Sequence, residues 1–360
     1  MVTVIGHEDI RRELRVLAGS AEPPHALMFV GQDGTGRKLL ALEYAQLLNC
    51  ERAPWNAPAG ASLFGDDLPP ATAEDVPCGA CRPCRLIAEG SHPDVVVIGP
   101  GDTLCKPRAG EASHPRHPDS RDIRICQVRG LIELASRYPF EAKYRLVVID
   151  PADRLYRDAS PAFLKTLEEP PGHTVFALLT SAPEAVLETI RSRCRRIDVR
   201  PVAREQVQRG LRELEHAPEI AARAAAESRG RPGRAIHFAE HPDEMDDRDR
   251  RLDRCARTAA GRLPERFKYA EELAERFRRD KSAAWPDLEA WEAFWEQRLH
   301  SLAASGEEAG AARGTVRALQ AIARAREDLL ANVIARAALE LMLLAFPRVE
   351  MAAGVEEEVA

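Results

Sequence analysis

Three of the chain's eight cysteines, Cys78, Cys81 and Cys84, are separated by two residues each. This spacing lets one tight turn direct three thiols toward a single metal ion. Structural zinc takes four ligands, and we expect Cys50 to be the fourth, with Cys105 as the substitute. An iron–sulfur cluster also uses thiolates at such spacing, although we favour zinc. Because four thiolates leave no position for a catalytic water, the predicted role of the metal is structural.

A glycine-rich loop, Gly31-Gln32-Asp33-Gly34-Thr35-Gly36-Arg37-Lys38, follows an apolar run and precedes a helical pattern. In that context the glycines let backbone N–H groups and a helix N-terminus face a phosphate. The loop departs from the usual pattern, because Arg37 stands at the lysine position and Lys38 at the position of the hydroxyl that would ligate Mg²⁺. We therefore expect binding of ATP and Mg²⁺ to be weak or absent. The candidate phosphate contacts are Gly31, Gly34, Gly36, Arg37 and Lys38.

The second half of a nucleotide site would be an acidic pair at the end of a later strand. Asp150 ends an apolar run and supplies one carboxylate that could hold Mg²⁺, but the next residue is Pro151. Proline can neither polarise water nor accept a proton, and Asp153 follows too late, so we expect its side chain to point elsewhere. The missing metal hydroxyl and the missing base together argue against hydrolysis at this site.

Four apolar runs predict the buried parallel strands that would position these groups: residues 26–30, 94–98, 145–149 and 174–179. Helical patterns between them, such as residues 39–48, indicate an α/β doubly wound layout. Residues 51–77 and 100–121 are rich in turn-forming residues and are predicted to be surface insertions.

Beyond Pro201 the pattern becomes helical. We predict a small helical unit over residues 203–239, a charged linker over residues 241–251, and long helices over residues 252–300 and 314–346. An aromatic and leucine series at three- and four-residue spacing is interpreted as helix-packing core: Trp285, Leu288, Trp291, Trp295 and Leu299.

Composition limits the class of protein. The chain has 360 residues and a net charge of −6, so two or three domains are expected, with no general attraction to nucleic acid. No stretch is apolar for the ~18 residues of a membrane span, and the N-terminus lacks the pattern of a secretory signal. We therefore expect a cytoplasmic protein without membrane contact, in which clustered cysteines favour a metal over disulfides.

Several short motifs over roughly residues 1–240 together resemble the bacterial clamp-loader subunits of the AAA+ family. The most specific are Leu167-Glu168-Glu169-Pro170-Pro171 and Ser192-Arg193-Cys194. The others are the glycine-rich loop, Ser91-His92-Pro93-Asp94, Asp150-Pro151-Ala152-Asp153 and Gly230-Arg231-Pro232-Gly233-Arg234-Ala235.

The resemblance implies an AAA+ RecA-like parallel-sheet core over residues 1–202 with an inserted four-cysteine zinc module (50–84). It also implies a helical lid (203–242) and an all-helical collar (243–348). The last residues, including Glu356-Glu357-Glu358, predict a disordered tail (349–360).

The resemblance further implies residue roles. Arg193 would be an arginine finger presented to ATP in a neighbouring subunit, because guanidinium offers a fixed charged fork to the transferring phosphoryl group. Thr180 or Ser181 would stand at a first nucleotide sensor. At a second sensor, Gly233 occupies the position where a hydrolysing relative has arginine, and Arg234 comes one residue late.

The family partners implied are the gamma/tau and delta subunits of a hetero-pentamer, with the sliding clamp and primer–template DNA reached through the complex. The chain would then be a non-hydrolysing subunit of a DNA polymerase holoenzyme rather than an enzyme on its own. Two alternatives remain at this stage: an active AAA+ clamp-loader ATPase, and a zinc-containing nucleic-acid-binding protein with a vestigial phosphate loop.

Overall fold

The computed structural model describes residues 3–56, 75–101, 104–106, 117–155, 158–305 and 309–349. The chain forms two compact units, Met1–Glu240 and His241–Ala360. None of the helices in the described ranges has the length and apolar character that crossing a membrane demands. Most of the two predicted insertions, and the predicted tail beyond residue 349, lie outside the described residues.

The first unit is built on a five-stranded parallel sheet in the order β2-β3-β4-β1-β5. The strands are β1 Ala26–Val30, β2 Val95–Ile98, β3 Arg145–Ile149, β4 Thr174–Thr180 and β5 Arg195–Asp198. Every residue of β1, β3 and β4 is buried, as expected for strands covered on both faces. The predicted α/β layout is therefore confirmed.

Nine α-helices of this unit lie in the described residues. They are α1 Glu8–Ala18, α2 Arg37–Asn49, α3 Arg82–Ala88, α4 Ile125–Ser136, α5 Ser160–Glu168, α6 Glu188–Arg191, α7 Arg204–Glu213, α8 Pro218–Glu227 and α9 Pro232–Glu240. Alternate strand residues enter two separate cores, because successive side chains of a strand point to opposite faces. Leu146 and Val148 pack with α2, whereas Val147 and Ile149 pack with Phe163 of α5.

The strand order brings the carboxyl ends of β1, β3 and β4 to one edge of the sheet. Val30 pairs with Thr180, and Ile149 pairs with Leu178. The residues that follow these strands therefore emerge side by side, at the edge where open α/β sheets place their ligands.

The second unit is helical over its described residues: α10 Pro242–Ala260, α11 Leu263–Arg279, α12 Trp285–Ser305, α13 Ala309–Leu330 and α14 Ala335–Leu344. Leu288, Trp291 and Trp295 are fully buried in its core, and Trp285 packs against that core. This confirms the predicted packing role of the aromatic series, although Leu299 at its end is only half-buried.

Two sequence predictions were wrong. Residues 241–251 are not a linker, because Pro242 begins a 19-residue helix whose first turn carries Asp243 and Glu244. Proline and acidic side chains both favour a helix start. The strand β5 was missed, because its sequence, Arg195-Arg196-Ile197-Asp198, is charged and buries only Ile197, as an edge strand can.

Candidate functional site

The four cysteines come together beside α2 and α3. Cys50 directly follows α2, Cys78 and Cys81 precede α3, and Cys84 lies in its first turns. Their four Sγ atoms all lie within 4.8 Å of one another. Tetrahedral zinc with Zn–S bonds of about 2.3 Å requires sulfurs about 3.8 Å apart. The thiol set therefore fits a closed four-sulfur zinc site.

Neighbouring backbone contacts hold this arrangement. The Gln46 side-chain amide donates to the Cys84 carbonyl at 2.6 Å, which fixes α3 against α2. The backbone N–H of Cys81 donates to Cys78 Sγ at 3.4 Å. Gly79, between these two cysteines, has a φ of 68°, a left-handed conformation that glycine adopts without strain. The turn is thus shaped to direct the sulfurs inward.

The thiols strongly perturb one another. Hydrogen bonds from Cys50 and Cys84 lower the pKa of Cys81, while the same network raises the pKa of Cys50 to about 11 and that of Cys84 further. The Cys81 thiolate is therefore stabilised by its neighbours, and ionisation of Cys50 and Cys84 is opposed. A bound dication would favour the thiolate form of all four sulfurs.

Two nearby candidates do not join this group. Cys105, the substitute fourth ligand, has its Sγ 3.5 Å from Cys126 Sγ instead. His92 is buried, and its Nδ1 accepts the backbone N–H of Asp94 at 3.1 Å, so it closes a turn. The described ligand group is therefore the four cysteines that the sequence predicted.

Asp94 has a structural role that the sequence did not reveal. Its fully buried carboxylate accepts the backbone N–H groups of Phe140, Glu141 and Ala142 at 2.8–3.0 Å, and pairs with the Arg145 guanidinium at 2.8 Å. Burial acts to raise the pKa of Asp94, but these four hydrogen bonds outweigh it and the pKa is lowered. The carboxylate thus anchors the turn that leads into β3.

The glycine-rich loop keeps the backbone form that its sequence predicts. It joins β1 to α2, and Gly34 and Gly36 have φ values of 80° and 100°. A side chain at Gly31 would place Cβ 2.3 Å from the Val199 carbonyl oxygen, so only glycine fits there. His7 Nε2 lies 2.7 Å from the Thr35 carbonyl oxygen and supports the loop from α1.

Two charged side chains of this loop, Arg37 and Asp33, pair with each other. Arg37, at the lysine position, is largely buried and forms an ion pair with Asp33, four residues earlier. Asp33 itself is 85% exposed. Lys38, at the hydroxyl position, is exposed. Asp33 is therefore a counter-ion, within the loop, for Arg37, which occupies the position of the expected phosphate-binding lysine.

Helix α9 packs directly on the loop. The backbone N–H of Gly233, in its first turn, donates to the Gly34 carbonyl at 2.8 Å. A Cβ at Gly233 would lie only 3.2 Å from that oxygen, so the close approach depends on glycine. Arg234 lies with its guanidinium 5.0 Å from the centre of the Phe238 ring.

The acidic residues after β3 separate into two environments. Burial raises the pKa of Asp150, and the charges of Arg37 and Lys38 offset only part of this effect. Asp153 accepts the Thr180 hydroxyl at 2.7 Å, and that hydroxyl in turn accepts the Ala182 N–H. Our expectation that Asp153 points elsewhere missed this contact, which depends on β3 and β4 being neighbours. Ser181, the alternative to Thr180, is exposed.

Arg193 lies in the turn after α6, and its side chain is 35% exposed. Its Nη2 pairs with Glu168 Oε1 at 2.7 Å, and its Nη1 donates to the Thr189 carbonyl at 2.9 Å. The fold thus joins the two most specific sequence motifs, one ending α5 and the other following α6. Nothing in the spacing of the two motifs predicted this contact.

Comparison with known proteins adds a family to this geometry. The family described as "DNA polymerase III, delta subunit" matches residues 6–203, more than half of the chain. The chain is 34% identical over 178 residues to DNA polymerase III subunit delta′ of Pseudomonas aeruginosa, covering 49% of this chain and 44% of that protein. It is 29% identical over 213 residues to the delta′ subunit of Bacillus subtilis, covering 58% and 53%.

DNA polymerase III subunit tau of Bacillus subtilis is also similar, with 31% identity over 204 residues, covering 57% of this chain and 30% of that protein. The chain thus spans about half or less of the length of these curated relatives.

Proposed function

This chain belongs to the DNA polymerase III delta-subunit family, as a delta-prime-like clamp-loader subunit, and we propose that it is a non-hydrolysing member of the loader. In this role it supports ATP-driven loading of the sliding clamp on primed DNA and leaves hydrolysis to other subunits. Its own contribution to the chemistry is Arg193, presented to ATP bound by a neighbour.

The observation that carries the non-hydrolysing role is that Arg37 and Lys38 both act on the pKa of Asp150, so the departures from a working loop fall at one site. A working loop uses its lysine for the β- and γ-phosphates and its hydroxyl for Mg²⁺. Here Arg37 pairs with Asp33 of its own loop, Lys38 offers no metal-ligating oxygen, and Pro151 follows Asp150 without a base. Phosphate contact, metal ligation and proton acceptance are therefore all weakened at one site.

The position of Arg193 supports its role in trans. Its Nη2 is held by Glu168 and its Nη1 by Thr189, and a third of the side chain stays exposed. Guanidinium carries five N–H donors, more than the contacts with Glu168 and Thr189 use, so donors remain for a phosphoryl group. We assign Glu168 as the residue that positions this finger.

We further propose that Cys50, Cys78, Cys81 and Cys84 hold structural zinc, on the strength of four converging sulfurs. The metal would tie the excursion between α2 and α3 to the core and supply no catalytic water. Partners of the chain, by family, are the gamma/tau and delta subunits, with the sliding clamp and primer–template DNA reached through the assembly. We place this work in the bacterial cytoplasm.

The proposal divides the chain into three domains: a core (1–202), a lid (203–242) and a collar (243–348). The contact of Gly233 with Gly34 supports a lid that closes on the phosphate loop.

The test is DNA-dependent ATP turnover by a loader reconstituted from the motor and delta subunits, with this chain native, omitted or carrying Arg193→Ala. An arginine finger contributes ~10³–10⁵ in rate where it has been measured. We therefore expect ATP turnover at the neighbouring site to be lost in the Arg193→Ala variant. Arg191→Ala, two residues away in the same basic run, is the matched control and should keep native turnover.

Turnover by the isolated chain would instead favour the active ATPase. Tight binding of primed DNA by the isolated chain would favour the nucleic-acid-binding protein. Native turnover by an assembled Arg193→Ala complex would overturn the arginine-finger assignment.

A further inference from the structure

Outside the four-cysteine centre, a second pair of thiols is in contact. Cys126 lies at the start of α4 and is 1% exposed, and Cys105 is half-buried in the segment 104–106. Their Sγ atoms are 3.5 Å apart. We propose that this pair is a site of reversible oxidation, at which a small-molecule disulfide converts the two thiols to a Cys105–Cys126 disulfide.

The contact is built by more than the two sulfurs. The backbone N–H of Lys106 donates to the Cys126 carbonyl at 2.9 Å, and the Lys106 ammonium pairs with Glu133, two turns further along α4. Leu104 packs on Gly130, where a Cβ would lie 3.2 Å from the Leu104 side chain. Three contacts around the sulfurs therefore dock this short segment on α4.

This docking determines which sulfur meets the oxidant. Cys105 is partly exposed to solvent, whereas Cys126 is 1% exposed. Thiol–disulfide exchange needs access to the attacking thiolate and a second thiolate within reach of the mixed disulfide. Cys105 meets the first condition, and Cys126, in van der Waals contact with it, meets the second.

The reaction with glutathione disulfide proceeds in two exchanges. The Cys105 thiolate attacks one sulfur of the oxidant, which forms a mixed disulfide and releases the first glutathione as a thiolate. Cys126, after losing its proton to water, attacks Cys105 Sγ and releases the second glutathione. The two protein thiols lose two protons and two electrons in all, and the oxidant gains them as two glutathione thiols.

The site is independent of the proposed clamp-loader role, because neither cysteine belongs to the phosphate loop, the arginine-finger turn or the four-cysteine centre. The proposal also assigns a thiol–disulfide reaction to the start of the second predicted insertion, residues 100–121. Oxidation would add a covalent link between the segment 104–106 and α4, and a reductant would cleave that link.

The test uses the full chain with its metal bound, incubated with glutathione disulfide and glutathione at set ratios. Samples are quenched in acid, alkylated and examined by intact mass and peptide mapping. We expect two fewer alkylatable thiols, a cross-linked peptide pair containing Cys105 and Cys126, full reversal by dithiothreitol, and unchanged zinc content measured with a chromogenic chelator.

Two variants separate the steps. Cys126→Ser should stop the reaction at a glutathione adduct on Cys105, and Cys105→Ser should slow modification of buried Cys126 at least tenfold. A native chain that accumulates the Cys105 adduct without the cross-link would overturn the proposal. So would oxidation of the four-cysteine centre before any Cys105–Cys126 cross-link forms; since this measurement uses the native chain, it does not depend on how either variant folds.

Discussion

The four-cysteine centre and the phosphate loop lie at opposite ends of one helix, α2, and their polar groups behave differently. At the end of α2, four sulfurs converge on one another within 4.8 Å. At its start, Arg37 pairs with Asp33, and the Gly34 carbonyl accepts the Gly233 N–H. One site is arranged for an added ligand, whereas the other pairs its arginine within the loop, although Arg37 Nη1 is buried without a hydrogen-bond partner among the described residues.

The difference shows that the phosphate loop can keep its backbone conformation although its side chains depart from those that nucleotide binding requires. The left-handed glycines and the close approach of Gly31 to Val199 preserve the turn from β1 into α2. Those backbone features are needed to connect the two elements whether or not a phosphate binds. Thiol clusters have no such structural alternative, because sulfur–sulfur hydrogen bonds are weak and a metal provides most of the stabilisation.

The largest expected effect comes from breaking the four-cysteine centre. Cys81→Ser should lower bound zinc from one equivalent per chain to near zero, because structural zinc binds with ~10–16 kcal/mol only when all its ligands are present. Zinc content is measured on the purified chain by elemental analysis. Cys105→Ser is the matched control, since Cys105 contacts Cys126 instead.

Full zinc in the Cys81→Ser chain would contradict the site. Loss of zinc in the Cys105→Ser chain would show that a cysteine outside the cluster takes part. Either result would remove the contrast between the two ends of α2.

The second-largest effect is expected at Asp94, which is proposed to stabilise the region near the thiols without a bound ligand. Asp94→Asn should lower the free energy of unfolding by about 3–5 kcal/mol, because it leaves the Arg145 guanidinium buried without its anion. Chemical denaturation at neutral pH measures this loss. Glu141→Gln, on an exposed ion pair with Arg82, is the control and should cost under about 1 kcal/mol.

The Asp94 effect should depend on pH in one direction. Since the folded-state pKa of Asp94 is lowered, its stabilisation is complete above the ordinary carboxyl value of about 4 and disappears as the pH falls through the folded value. The native and Asp94→Asn chains should therefore converge in stability in acid. A constant difference down to the acid unfolding transition would exclude this carboxylate as the cause.

The four-cysteine centre and the Asp94–Arg145 pair also show which features of the structure the sequence alone predicts. The cysteine spacing predicted that Cys78, Cys81 and Cys84 lie together, and the apolar runs predicted four strands, because both are local patterns. The Asp94–Arg145 pair, the Thr180–Asp153 contact and the Glu168–Arg193 pair join residues 25–51 positions apart. Such contacts depend on strand order and helix packing, which the local pattern does not contain.

A smaller effect is expected at Glu168, whose ion pair with Arg193 is proposed to position that arginine for ATP bound by a neighbouring subunit. Glu168→Ala should lower turnover of the reconstituted loader several-fold, because Arg193 loses the carboxylate that fixes its Nη2. Glu168→Gln keeps an acceptor oxygen and should recover part of that loss. Thermal unfolding of the chain should change little, since exposed ion pairs contribute about 0–1 kcal/mol.

A double-mutant cycle separates positioning from general damage. In the Arg193→Ala background, Glu168→Ala should have no further effect on turnover, because both changes act through one guanidinium. Additive losses would mean that Glu168 acts independently of the finger.

The smallest effect is expected at the phosphate loop itself. Asp33→Asn removes the partner of Arg37, but Asp33 is 85% exposed, so the pair is worth about 0–1 kcal/mol. Binding of ATP with Mg²⁺ to the isolated chain, followed by calorimetry, should therefore tighten by no more than about fivefold. Lys38 still offers no metal-ligating oxygen, and the contact of Gly233 with Gly34 remains. A hundredfold gain would instead mean that one ion pair gates a competent nucleotide site, and the two ends of α2 would then both be ligand sites.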